Sequence, residues 1–206
     1  MCQLKSAIVL KDRIYIPDHD HHTQMLEELG IADTRRNAES VFVRVELSPS
    51  DGDAFSPVDA WALKVDQDMR PDWFFEDVEK PKIVAAVKKW ADDHIFIGKH
   101  GLELTTGKGY YLKNCTDVTL RGDCRVERLE SSKVGVMRES SKVSVMRGSS
   151  NVGEMWESSN VGVMRGSSKV GEMWESSNVG VMRESSKVSV MLESSNVGEM
   201  WESSNV

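Results

Sequence analysis

The sequence is poor in the residues and segments that would indicate export or membrane insertion. It has only three cysteines, Cys2, Cys115 and Cys124, in 206 residues. An odd, low cysteine count of this kind is typical of the reducing cytosol. No apolar run is long enough to cross a membrane, and the Ala-Ile-Val-Leu run near the N-terminus is too short for a signal peptide. We therefore expect a cytoplasmic protein.

Motifs for catalysis and nucleotide binding are absent as well. The chain contains no P-loop, no GxGxxG, no GxSxG and no HExxH. It has no basic patch, and its net charge is −7, which argues against nucleic acid as a partner. These absences favour a protein that is not an enzyme and that carries no cofactor.

What the sequence does have is an unbroken period of nine residues from Glu130 to Val206. The units are ESSKVGVMR, ESSKVSVMR, GSSNVGEMW, ESSNVGVMR, GSSKVGEMW, ESSNVGVMR, ESSKVSVML, ESSNVGEMW and a final ESSNV. A fixed internal period is the signature of a repeat architecture. Counting nine slots from Glu130, slot three is always Ser, slot five always Val and slot eight always Met, whereas slots four, seven and nine vary.

This pattern predicts a narrow β-solenoid rather than a helix. Nine residues make about 2.5 helical turns, and Ser, Gly, Val and Asn are weak helix formers. In a strand, slots three and five point to the same side. Slot six is Gly or Ser, and a bend at slots six and seven would turn the slot-eight Met inward as well. We therefore expect Ser, Val and Met inside, and Lys, Glu, Arg and Trp outside.

We expect two repeats, or eighteen residues, to form one coil. Units three and five share the pattern GSSxVGEMW, and units four and six are both ESSNVGVMR. This alternation predicts a tryptophan ladder on one face and an arginine ladder on the other. The members are Trp156 and Trp174 on the first face and Arg147, Arg165 and Arg183 on the second, with Glu139, Glu157 and Glu175 expected beside the arginines.

The repeats give no indication of a metal site. They contain neither Cys nor His, so the methionine column favours core packing over soft-metal binding. The GGxGxD spacing of calcium-binding nonapeptides is missing too.

The C-terminal end of the repeats is open in this sequence. It stops at Val206, midway through a unit and without the polar cap that usually closes a repeat array. An open coil end offers unpaired N–H and C=O groups to another chain. Either further chain follows or the last coil stacks on a second molecule, and we favour a homodimer. Trp201, Ser203, Ser204 and Val206 are its candidate contacts.

The remainder has the mixed pattern of a small α+β head. Apolar spacing and turn residues predict strands at 6–16, 41–47, 61–65, 95–97 and 110–112, and helices at 23–29 and 76–95. Asp20 is the expected N-cap of the first helix. Around Cys115 and Cys124 the sequence resembles degenerate repeats. The predicted domains are a capping head at 1–112, degenerate first coils at 113–129 and a regular solenoid at 130–206.

Two features of the head could carry chemistry. Three histidines fall within 19–22, but adjacent histidines seldom converge on one ion, so a capping loop is favoured. Carboxylates cluster at 51–53 and again as Asp66, Asp68 and Asp72. Such groups can act as acids and bases or hold divalent cations, although in turns they usually stabilise the turn. A metal-dependent enzyme with an acidic site in the head is therefore one alternative.

The head motifs SAIVLKDRIYIPD, FVRVELSPSDGD, KVDQDMRPDWF and YYLKNC, followed by nonapeptide coils, carry a resemblance. The chain resembles a family of uncharacterised proteins from gut bacteria and their phages, over most of its length. The repeats are also distantly similar to pentapeptide-repeat solenoids, but they lack the five-residue period. The resemblance implies the two-part fold and no activity, and hence no site residue.

Three functional hypotheses remain. The first is a non-enzymatic protein that presents a flat, repetitive solenoid surface to a protein partner, for example in conflict between phage and host. Tryptophan is enriched at binding hot spots. The candidate contacts are therefore the ladder residues Trp156, Trp174, Trp201, Arg147, Arg165 and Arg183. The alternatives are the metal-dependent enzyme and a structural, self-assembling solenoid.

Overall fold

A computed structural model describes residues 5–206, which fall into two compact units. The first extends to Asp93 and the second from His94 to Val206. The boundary lies earlier than the predicted end of the head at 112, because residues 95–113 contain three short strands that pair with the solenoid sheets.

An antiparallel sheet of four strands forms the centre of the first unit. In spatial order 2-1-3-4, its strands are β1 (Lys5–Leu10), β2 (Ile14–Tyr15), β3 (Phe42–Pro49) and β4 (Trp61–Val65). All six residues of β1 are buried, as expected of a strand paired on both sides. Of the two forms that the pattern at 6–16 allows, a hairpin or a bent strand, the structure has the hairpin of β1 and β2. The predicted strands at 41–47 and 61–65 are confirmed.

Three helices accompany this sheet: α1 (His22–Glu28), α2 (Arg35–Ser40) and α3 (Glu76–His94). In α1, Met25 and Leu26 pack into a cluster with Ile8 and Phe42. The short α2 was not predicted. It is capped by the Thr34 hydroxyl, which accepts a hydrogen bond from the Asn37 amide at 3.3 Å.

Asp20 does not cap α1, so this expectation was wrong. The N-cap residue is His21, and its side chain makes no capping bond. The Asp20 carboxylate instead accepts hydrogen bonds from the Lys5 ammonium at 2.8 Å and from the Ser6 amide at 3.0 Å. A buried ammonium needs a partner more than a helix end in water does.

The second unit is a β-solenoid made of two parallel sheets. We call them the odd sheet (β5, β7, β9, β11, β13, β15 and β17) and the even sheet (β6, β8, β10, β12, β14 and β16). The strands are β5 (Ile95–Ile97), β6 (Glu103–Leu104), β7 (Gly109–Lys113), β8 (Val118–Leu120), β9 (Arg125–Glu130), β10 (Lys133–Met137), β11 (Lys142–Arg147), β12 (Asn151–Met155), β13 (Asn160–Met164), β14 (Lys169–Met173), β15 (Asn178–Met182), β16 (Lys187–Met191) and β17 (Asn196–Met200).

Each regular coil takes two repeats, as predicted. Val161 pairs in register with Val143 in the preceding coil and with Val179 in the next, so equivalent positions are eighteen residues apart. Successive repeats therefore alternate between the two sheets.

The predicted interior is also confirmed. From the first repeat to Val188, the valines of slot five and the methionines of slot eight form one buried cluster, and the slot-three serines are buried beside them. Slots five and eight are three residues apart and would point to opposite sides of a regular strand, yet both side chains are buried. The backbone therefore changes direction inside each strand, between these two slots. Slot six lies against the neighbouring backbone: a Cβ on Gly162 would be 2.6 Å from the Ser144 carbonyl oxygen.

The chain turns between slots nine and three, where each unit passes to the other sheet. In the unit that begins at Glu139, the Ser141 amide donates to the Arg138 carbonyl at 3.2 Å, and Glu139 has φ of 59°. This positive φ suits glycine, which occupies the same slot at Gly148. For a non-glycine residue, the left-handed conformation costs about 1–2 kcal/mol. The Glu157 carboxylate offsets part of that cost by accepting a hydrogen bond from the Glu139 amide one coil away.

We expect Met164→Ala to lower the free energy of unfolding by about 2–5 kcal/mol, because Met164 is fully buried between Met146 and Met182. Urea unfolding followed by circular dichroism measures the change. Met200→Ala is the matched control, since Met200 fills the same slot of β17 but is 46% exposed, and it should cost less than about 1 kcal/mol. Equal losses in the two variants would contradict the stacked core.

Candidate functional site

The even sheet carries the predicted tryptophan ladder. The rings of Trp156 and Trp174 are stacked with centroids 4.9 Å apart and planes 2° apart. Each indole N–H donates to a glutamate two residues earlier, Trp156 to Glu154 at 2.8 Å and Trp174 to Glu172 at 3.0 Å. Both tryptophans are half-buried. Stacking and these two hydrogen bonds thus fix the orientation of both rings, and part of each ring stays exposed.

A groove borders this ladder. It is lined by Arg138, Trp156, Glu157 and Glu175, so that the arginine below the ladder shares the groove with two carboxylates. A groove of the same composition recurs on the odd sheet, where Arg183, Trp201 and Glu202 line it. Trp201 therefore lies above Arg183 and not above Trp174, because β17 belongs to the odd sheet.

The odd sheet carries the predicted arginine ladder. Arg147 is the last residue of β11, and Arg165 and Arg183 directly follow β13 and β15, which are the next two strands of this sheet. Within the described residues, no carboxylate lies within 4.0 Å of any of these three guanidinium groups. Like charges stacked in a sheet repel each other.

The glutamates expected to offset this repulsion lie elsewhere, so this expectation was wrong. Glu139, Glu157 and Glu175 follow the even-sheet strands, and the last two line the tryptophan groove. The sequence already indicated this position, because each slot-one glutamate directly follows the slot-nine residue of the preceding unit. Glu157 and Glu175 therefore lie next to Trp156 and Trp174 rather than next to the arginines. At the arginine corner, slot one is glycine at Gly148 and Gly166.

Glu184 does lie at the arginine corner, but it does not pair with an arginine. Its carboxylate accepts a hydrogen bond from the Gly166 amide at 2.8 Å. This hydrogen bond goes to the backbone and not to a guanidinium group.

The residues assigned to self-assembly lie in the last coil. Trp201 and Val206 are each 55% exposed, Ser203 is exposed, and the Ser204 hydroxyl donates to the Trp201 carbonyl at 2.8 Å. Beyond β17 the chain returns towards the even sheet, where the Val188 amide donates to the Asn205 carbonyl at 3.0 Å. In the last coil, the side chains of Met200, Trp201 and Val206 are therefore in contact with solvent.

In the first unit, the two acidic stretches do not form one site. Asp51 accepts hydrogen bonds from the Asp53 amide at 2.9 Å and the Ser56 hydroxyl at 2.6 Å, which is turn chemistry. Asp66 instead belongs to a group with His22 and Glu46, whose ligand atoms all lie within 4.8 Å of one another.

Sequence patterns did not connect these three residues. In the sequence, His22 and Asp66 lie in separate loops, and Glu46 lies within the predicted strand at 41–47. A glutamate within an apolar strand was the available signal, because a buried carboxylate needs a partner.

Burial and hydrogen bonding set the ionisation of several groups. The pKa of Asp66 is lowered, chiefly by the hydrogen bond from Lys64, and the pKa of Lys64 is raised by the same contact. Burial raises the pKa of the Cys124 thiol to about 11. At neutral pH Cys124 is therefore a protonated, unreactive core residue, in the position that serine takes one coil later.

Together these observations define the class of protein: an α+β unit followed by a parallel β-solenoid of eighteen-residue coils. Within residues 5–206, no helix combines the length and the apolar character needed to cross a lipid bilayer. No family model, curated protein or solved structure matches the chain.

We expect Arg165→Gln to raise the free energy of unfolding by a few tenths to about 1 kcal/mol, because Arg165 is flanked by Arg147 and Arg183. Urea unfolding at low ionic strength measures the gain, which should disappear in 1 M NaCl, where the Debye length falls to about 3 Å.

Arg138→Gln is the matched control, since Arg138 occupies the same slot on the even sheet beside Glu157 and Glu175. It should bring no gain. A loss of stability in Arg165→Gln at low salt would show that the arginine ladder is already neutralised.

Proposed function

We propose that the chain is a non-enzymatic binding protein whose solenoid faces recognise a protein partner. The observation that carries this proposal is the arginine ladder of Arg147, Arg165 and Arg183, which has no carboxylate partner among the described residues. A folding role does not call for such a ladder, since stacked like charges oppose folding. Natural proteins retain features of this kind where function requires them.

An anionic surface would complete the arginine ladder. Beside it, Val145, Val163 and Val181 form a half-buried apolar column along the odd sheet. Arginine at the rim with apolar area beside it is the usual composition of a protein interface. The partner we infer is therefore a protein segment that combines acidic and apolar side chains.

The tryptophan ladder supports a second contact on the even sheet. Trp156 and Trp174 are held by stacking and by their bonds to Glu154 and Glu172, so little side-chain entropy would be lost when a partner binds. Preorganised aromatic side chains are frequent hot spots. The two sheets could thus engage two different surfaces.

The proposal extends to the biological process and the cellular location in which the protein acts. The resemblance to proteins of gut bacteria and their phages suggests a component of conflict between phage and host, and the low cysteine count supports a cytoplasmic location.

The arginine ladder can be tested with a fluorescein-labelled hexaglutamate peptide as the probe. We expect the 206-residue chain to bind it at low ionic strength, and Arg165→Gln/Arg183→Gln to weaken binding about five- to thirtyfold, given roughly 0.5–1 kcal/mol for each of the two exposed pairs. Fluorescence anisotropy measures the affinity, and added salt should abolish it.

Two variants control for general electrostatics. Arg138→Gln changes the charge on the even sheet, and Trp156→Ala/Trp174→Ala removes the tryptophan ladder; both should leave peptide binding unchanged. A failure of the wild-type chain to bind, or an equal loss in Arg138→Gln, would exclude the arginine ladder as an anion-binding face.

A second candidate function is self-assembly through the last coil. Met200, Trp201 and Val206 are all exposed there, and within residues 5–206 β17 pairs with β15 on one side only. Exposed strand edges with apolar side chains pair readily with another chain. A homodimer joined end to end would bury these groups.

Light scattering of the 206-residue chain tests this assembly. We expect the mass of a dimer, and the mass of a monomer when Trp201→Lys/Val206→Lys adds charge to the coil end. Trp174→Lys is the control, since the same change away from the end should leave the dimer intact. A wild-type monomer at all concentrations, or a dimer that survives the double change, would contradict assembly at the coil end.

A further inference from the structure

We infer that His22, Glu46 and Asp66 form a binding site for a first-row divalent metal ion such as Zn²⁺, with Lys64 occupying the place of the cation when no metal is bound. This site lies in the N-terminal unit and is independent of the proposed solenoid function.

The fold of the first unit brings the three ligands together from separate elements. His22 begins α1, Glu46 lies on β3, and Asp66 directly follows β4. Glu46 pairs with Lys64 across these two antiparallel strands, and the Asp66 amide donates to the Arg44 carbonyl at 2.9 Å. The sheet therefore sets the positions of Glu46 and Asp66, and the start of α1 sets that of His22.

The hydrogen bonding of His22 fixes which ring nitrogen faces the carboxylates. Its Nε2 lies 3.2 Å from the Val45 carbonyl oxygen. A carbonyl can only accept, so Nε2 carries the hydrogen. In the neutral ring, Nδ1 then presents a lone pair to the Asp66 Oδ2 at 3.5 Å. When Nδ1 carries no hydrogen, two acceptors face each other there, and a proton or a metal ion between them would remove their repulsion.

The length of this gap fits a metal ion better than a proton. An N–H···O hydrogen bond spans about 2.7–3.2 Å, so 3.5 Å is long for an imidazolium–carboxylate contact. Two ligands that each lie about 2.0–2.2 Å from a tetrahedral Zn²⁺ are roughly 3.4 Å apart. A metal-bound histidine typically donates its other N–H to a backbone carbonyl, and the Val45 carbonyl is placed to accept it.

Burial and charge lead to the same conclusion. Glu46 is 4% exposed, and the side chains of His22 and Asp66 are 11% and 38% exposed. The group is thus enclosed except on the Asp66 side. A carboxylate buried to this degree requires a cation.

Lys64 now supplies that cation, but it is suited to leave. Its ammonium lies 3.2 Å from the Glu46 Oε2 and 3.0 Å from the Asp66 Oδ1, while its side chain is 63% exposed. If it rotates into water, two carboxylates and one neutral imidazole remain, and their charge of −2 matches a divalent ion.

The ligand types select among metals. Imidazole nitrogen with two carboxylates suits Zn²⁺ and its first-row neighbours, whereas Ca²⁺ and Mg²⁺ prefer oxygen alone. Three protein ligands leave one coordination position for water or for an exogenous ligand, on the solvent side of Asp66.

Calorimetric titration of the untagged 206-residue chain with ZnCl₂ tests the site, after treatment with a chelator and in a Cys2→Ser background that removes one thiol ligand. We expect one Zn²⁺ per chain. His22→Gln and Asp66→Asn should each weaken binding at least tenfold. Lys64→Met should strengthen it about tenfold, because the competing ammonium is gone.

His19→Gln and His21→Gln are the matched controls, since they remove neighbouring histidines of the same loop and should leave the affinity unchanged. Visible absorption of the Co²⁺-loaded chain gives a second readout, because the intense bands of a tetrahedral ion should appear in the wild type and vanish in His22→Gln. Circular dichroism shows whether each variant is folded.

The inference is overturned if neither the wild type nor Lys64→Met binds Zn²⁺. It is also overturned if His19→Gln or His21→Gln weakens binding as much as His22→Gln, because the loop alone would then be the chelator. Tighter binding in Lys64→Met than in the wild type, with no effect of His19→Gln, is the result that supports a site shared with the ammonium.

Discussion

The solenoid depends on one contact repeated along its length: a valine and a methionine stacked in register on their equivalents eighteen residues away. Val161 lies between Val143 and Val179, and Met164 lies between Met146 and Met182, all fully buried. Close stacking of this kind requires small residues where backbones meet, which is why Gly162 has no room for a Cβ. Because the core is narrow, most of the stability comes from the backbone hydrogen bonds between coils and from the stacked valines and methionines.

The same register imposes ladders on the surface, whether or not they favour folding. A side chain that follows a strand must stack on the side chain that follows the neighbouring strand. For Trp156 and Trp174 this is favourable, since flat rings stack and their N–H groups find carboxylates two residues away. For Arg165 and Arg183 it is unfavourable, because identical charges are brought together, with glycine at the corner that follows Arg165. The surface chemistry of the solenoid is thus a consequence of its core.

The N-terminal unit is built on the opposite principle. It has no period, and its polar contacts join residues far apart in the chain, such as Lys5 with Asp20 and His22 with Asp66. Its buried charges are compensated one by one, and where the compensating group is an exposed lysine, as at Glu46, the compensation can be exchanged for another cation. Any chemistry of this unit therefore depends on its tertiary contacts.

The sequence by itself determined the period, the two-repeat coil, the identity of the inward residues and the strand at 61–65. It also placed the helix at 76–95, one residue longer than the observed Glu76–His94. These are local properties: the alternation of a strand, the spacing of a helix, and a repeat whose equivalent residues must occupy equivalent places. The tertiary structure decided that Asp20 binds Lys5 rather than a helix end.

Only the tertiary structure brought His22, Glu46 and Asp66 within reach of one another. These outcomes depend on which long-range partner a polar group meets when it is buried. That choice is set by the packing of separate elements, and no pattern of neighbouring residues encodes it.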